Sequence, residues 1–153
     1  MKFGLFDHVE DGERPLATLF DERLTFAQAA DDAGIYCLHV AEHHATPLNM
    51  VPVPGVYLGA VARATKRMRL GPLVYLLPLY SPLRLIEEIC MLDNLSRGRL
   101  DVGVGRGISS IEMSFFNIDV QQSGPGAERA VWASKLYALL PATEFAPLRR
   151  SLN

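Results

Sequence analysis

With 153 residues, 49% of them apolar and 21% charged, the chain has material for one core and too little for a separate second domain. Fifteen basic against 17 acidic residues leave a formal charge of -2, and no basic block is present to follow a phosphate backbone, which argues against nucleic acid as a partner. The strand-like opening lacks a secretory pattern and no apolar run reaches membrane-crossing length, so a single soluble, cytoplasmic domain without a membrane partner is expected.

Short apolar runs at residues 2–7, 36–42, 69–77 and 99–105 are each followed by a stretch with helical spacing. Their starts lie about 30 to 35 residues apart, the repeat of a strand whose helix returns the chain to a parallel neighbour. Four βα units are the expected parse, and the fold class is α/β. The first helix is expected to end by Ala33, with Gly34 as a left-handed cap. Residues 54–65 read as a helix apolar nearly all round, which needs cover on more than one side; a contact between subunits is one way to supply it. The third helix is the best marked: Ser81 is the expected N-cap, Pro82 the first helical residue and Gly98 the terminator.

Strand three, Leu70-Gly71-Pro72-Leu73-Val74-Tyr75-Leu76-Leu77-Pro78, reads as buried on both faces. Pro72 removes a ladder donor and so marks an edge, a bulge or the first residues of the strand. After Gln122 the character changes. Ser123-Gly124-Pro125-Gly126 breaks the pattern, residues 127–140 are compatible with a helix, and the rest reads as a loose tail. The expected organisation is one unit of four βα repeats over residues 1–122 and a divergent tail over 123–153.

Strand two ends in Glu42-His43-His44, and alternation sets His43 on the face of Cys37, His39 and Ala41. In parallel βα barrels ligands bind at the carboxyl ends of strands, where a histidine acts as base, donor or anion stabiliser; a purely structural, hydrogen-bonded role stays open. Adjacent histidines diverge and no further ligand motif is visible, so no metal site is expected. At the end of strand four, Gly103-Val104-Gly105-Arg106-Gly107 precedes a helix around residues 111–116. It offers either amides and a guanidinium to a phosphate or simply a tight strand-to-helix turn. Ile108 stands where a dinucleotide fingerprint begun at Gly103 requires glycine. Cys37 and Cys90 lie in apolar runs and are expected to be buried, reduced thiols.

Met1-Lys2-Phe3-Gly4, Ala41-Glu42-His43-His44, Arg69-Leu70-Gly71 with Pro78, Ser81-Pro82-Leu83-Arg84 and above all the block from Met91 to Gly107 resemble, in order and spacing, the flavin-dependent monooxygenases of the bacterial-luciferase type. The resemblance covers about residues 1 to 120. It implies a (βα) TIM barrel of which this chain supplies about half, since a full barrel needs about 200 to 250 residues. It also implies chemistry in which reduced FMN and dioxygen form a flavin hydroperoxide that oxygenates a small organic substrate, with the reduced flavin supplied by a reductase. By the same resemblance, His43 is the catalytic histidine beside the flavin. Leu73 and Val74 are the cofactor-facing pair, often joined by a cis peptide, and Gly105 with Arg106 lies near the FMN phosphate. Glu87 and Asp93 match polar helix positions suited to pairing between helices or subunits. The chain departs from the family at Phe115-Phe116-Asn117-Ile118-Asp119 and at Arg97, where glycine is common, and strands five to eight are absent. Two rivals remain at this stage: hydride transfer with a deazaflavin, and a non-catalytic half-barrel that self-associates as a homodimer or higher oligomer and binds flavin weakly or not at all.

Overall fold

Three of the apolar runs form a parallel sheet in the computed structural model, which describes residues 1–119. The strands β1 (Gly4–Asp7), β2 (Cys37–Val40) and β3 (Arg69–Pro72) are neighbours in that order. Register sets Leu5 beside Leu38 and Leu38 beside Leu70, and Leu70 bridges to Leu100. Register partners in a parallel sheet project to one face. These four leucines therefore form a single row under the helices, with Leu38, Leu70 and Leu100 buried and Leu5 packed against the core. Burying a leucine stabilises by about 1.5 to 3 kcal/mol, so the row fixes the register strongly.

The alternate row lies on the opposite face: Gly4 and Phe6 from β1, Cys37 and His39 from β2, Arg69 and Gly71 from β3. On this face Arg69 donates from Nε and Nη2 to Asp101 Oδ1 at 2.8 and 2.5 Å, and His39 Nε2 lies 3.3 Å from Asp101 Oδ2. Gly71 is required here, because a Cβ would run into the Asp101 carbonyl. Cys37 also belongs to this row and is half-buried, unlike the fully buried thiol expected, whereas Cys90 is buried; both are free.

The helices α1 (Leu16–Asp32), α2 (Pro54–Ala64) and α3 (Pro82–Ser96) cover the leucine face. Helix α1 ends as expected, with Gly34 at φ +83° and its N–H donating to the Asp31 carbonyl at 3.1 Å. Buried Asp31 then receives the backbone N–H groups of Lys66, Arg67 and Met68, which pins the end of α1 to the turn after α2. Helix α2 buries Tyr57, Leu58, Val61 and Ala62 but leaves Val56 77% exposed, so its all-round apolar character is only partly covered. Arg99 closes the far end of α2, donating to the carbonyls of Ala62, Thr65 and Met68 and to the Thr65 hydroxyl.

Helix α3 starts at Pro82 as expected, but the Ser81 side chain makes no capping bond. Its entry is held instead by the Ser81 carbonyl, which accepts from the Leu85 N–H at 3.0 Å. The helix ends through two successive left-handed residues, Arg97 (φ 60°) and Gly98 (φ 79°), with the Gly98 N–H donating to Asp93 O at 2.9 Å. Glu87 pairs with Arg84 of its own helix at 3.6 Å rather than with another helix.

Strand three is not continuous. Pro72 ends β3, the Leu73–Val74 peptide is cis, and pairing resumes at β4 (Tyr75–Leu76), followed by a 3-10 turn, Leu77–Leu79. The fourth run follows this broken course: its regular part is β5 (Val104–Gly105), parallel to β4. Gly103 links the halves, donating to Pro72 O at 3.2 Å and accepting from the Tyr75 N–H at 2.9 Å. A short helix, α4 (Ser110–Ser114), completes the fourth βα unit. The expected boundary at Gln122, the tail and the helix over residues 127–140 lie outside the described residues.

Candidate active site at the carboxyl ends of the strands

The segment after β2 carries the site: the strand ends at Val40, short of the Glu42-His43-His44 end expected, so the two histidines lie beyond it and turn to different partners. His44 Nε2 lies 3.0 Å from Glu42 Oε1, and its ring meets Phe116 edge-on at 4.9 Å. His43 Nδ1 lies 3.2 Å from Glu112 Oε1. The His43 ring stacks on His8, just beyond β1, with centroids 5.6 Å apart and planes 15° apart, and Phe6 meets His8 edge-on at 4.8 Å. His8 Nδ1 is buried without a partner among the described residues. Sequence alternation singled out His43; nothing local marked His8 or Glu112, which reach it from other βα units.

Glu42 is the buried anchor, 3% exposed. It accepts from the Leu76 N–H at 2.8 Å and from the Tyr80 hydroxyl at 3.0 Å. Burial pushes its carboxyl up from the ordinary range, against the downward pull of the Leu76 N–H, His44 and Tyr80. Burial also raises the Tyr75 and Tyr80 phenols, helped by the Glu88 and Glu42 carboxylates respectively. Tyr75 donates to Glu88 Oε1 at 2.7 Å; the carboxylate that joins α3 to the strands is thus Glu88, not Glu87 or Asp93.

Leu73, Val74 and Gly105 lie together. Leu73 is tied to β2 by its N–H, which donates to the Val40 carbonyl at 2.8 Å, while its side chain is 46% exposed. Val74 occupies the space beside two glycines: a Cβ on Gly105 would lie 2.5 Å from Val74 Cγ2, and one on Gly103 would lie 2.6 Å from the Pro72 carbonyl. The glycine pattern therefore serves close packing of backbone against the Leu73–Val74 turn. Gly107, at φ +73°, is suited to its position by backbone conformation, with the Met113 methyl group packed over it. Arg106 is exposed, with no hydrogen bond or ion pair to another described residue. The Ser109 hydroxyl accepts from the Glu112 N–H at 3.2 Å and starts α4.

No group of three or more His, Cys, Asp or Glu that could hold a metal gathers among the described residues. Among them, too, no helix is long and apolar enough to cross a membrane.

Known proteins are similar to this chain in sequence and in fold. The protein y4wF of Sinorhizobium fredii is 49% identical over 119 residues, which are 78% of this chain and 35% of the relative. The oxygenase component of the flavin-dependent trigonelline monooxygenase of Acinetobacter baylyi is 32% identical over 144 residues, 93% of this chain and 38% of the relative. The oxygenating constituent of 3,6-diketocamphane monooxygenase from Pseudomonas putida, solved in complex with FMN, superposes with a TM-score of 0.77 at 25% identity, covering 91% of this chain and 38% of its own. The chain thus spans well under half the length of these proteins and has the fold of part of a TIM barrel. A family model described as luciferase-like monooxygenase matches residues 1–130, and the chain belongs to that family.

Proposed function

We propose that this chain supplies the N-terminal half of a monooxygenase that uses reduced FMN and dioxygen on a small organic substrate. The observation that carries the reading is the Leu73–Val74 turn packed on Gly103 and Gly105, beside a loop whose Arg106 has no partner among the described residues. These residues fit the cofactor: exposed Leu73 offers an apolar surface to a planar ring, and Arg106 offers a guanidinium to a phosphate. Reduced flavin, when bound, supplies the electrons that activate dioxygen. His43, held by Glu112 and His8, would accept or donate a hydrogen bond beside the ring. The apolar Phe6 and Leu73 side chains would help to exclude water. The trigonelline relative is an oxygenase component, which supports a separate reductase as the source of reduced flavin.

Self-association is the second reading, favoured by one feature. An apolar groove of about 360 Å³ runs between α1 and α2, lined by Phe20, Leu24, Met50, Val53, Val56 and Tyr57 among others. Strands β1 and β5 each have one side unpaired among the described residues. Light scattering on the eluted protein tests the reading; a stable monomer counts against it.

The flavin reading is tested by titrating the purified protein with oxidised FMN, reduced FMN and a deazaflavin, with His43→Ala and Arg106→Ala alongside. Stoichiometric binding of reduced FMN, weakened about tenfold in Arg106→Ala, a loss of about 1.4 kcal/mol, is expected. Tighter binding of the deazaflavin would transfer the assignment to hydride chemistry, and no binding of any flavin would leave a non-catalytic half-barrel.

A further inference from the structure

Glu112 reaches the histidine pair from α4, 68 and 69 positions along the chain, and each of its oxygens has its own partner. Oε2 accepts from the His44 backbone N–H at 3.1 Å, while Oε1 lies 3.2 Å from His43 Nδ1. The backbone behind it is held as well: its N–H donates to Ser109 Oγ, and the next residue, Met113, is 1% exposed and seated against Gly107. The carboxylate is therefore fixed on two sides before it meets the ring.

A neutral imidazole carries one proton, and a carboxylate offers only acceptors. A hydrogen bond between Glu112 Oε1 and His43 Nδ1 accordingly requires the proton on Nδ1 and leaves the lone pair on Nε2. The ring plane is set separately, by the stack on His8 and the edge contact of Phe6 with His8. His8 offers no competing bond at the second nitrogen, since no contact of hydrogen-bond length joins the two rings.

We infer that Glu112 is a positioning residue that holds His43 as its Nδ1–H tautomer, with Nε2 aimed away from the carboxylate and free to accept a proton or a hydrogen bond. The inference rests on the proposed function for the use of that nitrogen beside a flavin, but not for the tautomer itself. Sequence reading had no access to this pair, because the two residues belong to different βα units.

The test reads the ring nitrogens of 15N-labelled protein in a two-bond proton–nitrogen correlation, at a pH where the ring is neutral, with His43→Ala to assign the signals. In the unmutated protein His43 is expected to show a protonated Nδ1 and an unprotonated Nε2, in about tenfold excess or more over the other tautomer, as a charge-assisted bond implies. In Glu112→Ala that excess is expected to disappear while the remaining histidine signals keep their shifts. A His43 proton on Nε2 in the unmutated protein overturns the inference, and this measurement needs only the assigning variant, not Glu112→Ala, to fold. Unchanged preference in a folded Glu112→Ala overturns it equally. Reduced FMN is then titrated into the same samples. If the tautomer behaves as expected and no flavin binds, the flavin reading fails while the role of Glu112 stands.

Discussion

The carboxylate of Glu42 accepts a hydrogen bond from the backbone N–H of Leu76 at 2.8 Å, which fastens the end of β2 to β4 just past the Leu73–Val74 turn. Because the Tyr80 hydroxyl and His44 Nε2 share the same carboxylate, Glu42→Ala leaves the Leu76 N–H, the Tyr80 hydroxyl and the His44 ring nitrogen without this acceptor. A loss of about 2 to 4 kcal/mol is expected from the desolvation cost of such groups, read as a lower urea midpoint. The sign with pH follows from burial, which raises this carboxyl above its ordinary 4.5. The folded chain holds the proton more tightly than the unfolded one, so this group's contribution becomes more favourable as pH falls through the raised value. Glu42→Gln should lack that trend.

Asp31 has the opposite sign. Burial alone would raise its carboxyl, but the N–H groups of Lys66, Met68 and Arg67, with the Arg67 charge, bring it below 3.8. Its stabilising contribution is present in full above the ordinary value and lost as pH falls through the depressed one. Asp31→Asn keeps the shape with fewer acceptors, and should cost about 2 kcal/mol near neutral pH. The difference from the unmutated protein should shrink in acid, measured by urea midpoints at a series of pH values.

Arg99 is a fork closing the carbonyl end of α2, with donors to Ala62 O, Thr65 O and Met68 O and a further bond from Nε to Ser96 O at 2.7 Å. Lysine retains the charge but not this planar array. Arg99→Lys is expected to destabilise by about 1 to 3 kcal/mol through the acceptors it leaves unpaired, a change that thermal unfolding would register directly.

Arg97 occupies a left-handed position at the end of α3, where a side chain is disfavoured by about 1 to 2 kcal/mol. Glycine relieves that cost but is more flexible when unfolded. Arg97→Gly should raise stability by a net of about 0.5 to 1 kcal/mol; a lower melting temperature would show that the arginine side chain contributes more than the backbone strain removes.

Periodicity alone located the βα units, since a buried row such as Leu38, Leu70 and Leu100 must recur at the strand spacing whatever the loops do. Proline and glycine chemistry likewise marked Pro82 at the start of α3 and Gly34 after α1, because φ restrictions are properties of single residues. His43 and the Leu73–Val74 pair were visible through motif order. What tertiary structure alone decided was how side chains from separate units pair. Glu112 with His43, Glu42 with Leu76 and Arg99 with α2 join positions about 30 to 70 residues apart. Local pattern carries no information about such partners, because an acidic or basic residue reads the same on a solvated face as in a buried bond. The break in strand three and the glycine packing at Gly103 and Gly105 belong to the same class. Each is set by how closely two backbones approach, and that distance exists only once the sheet is assembled.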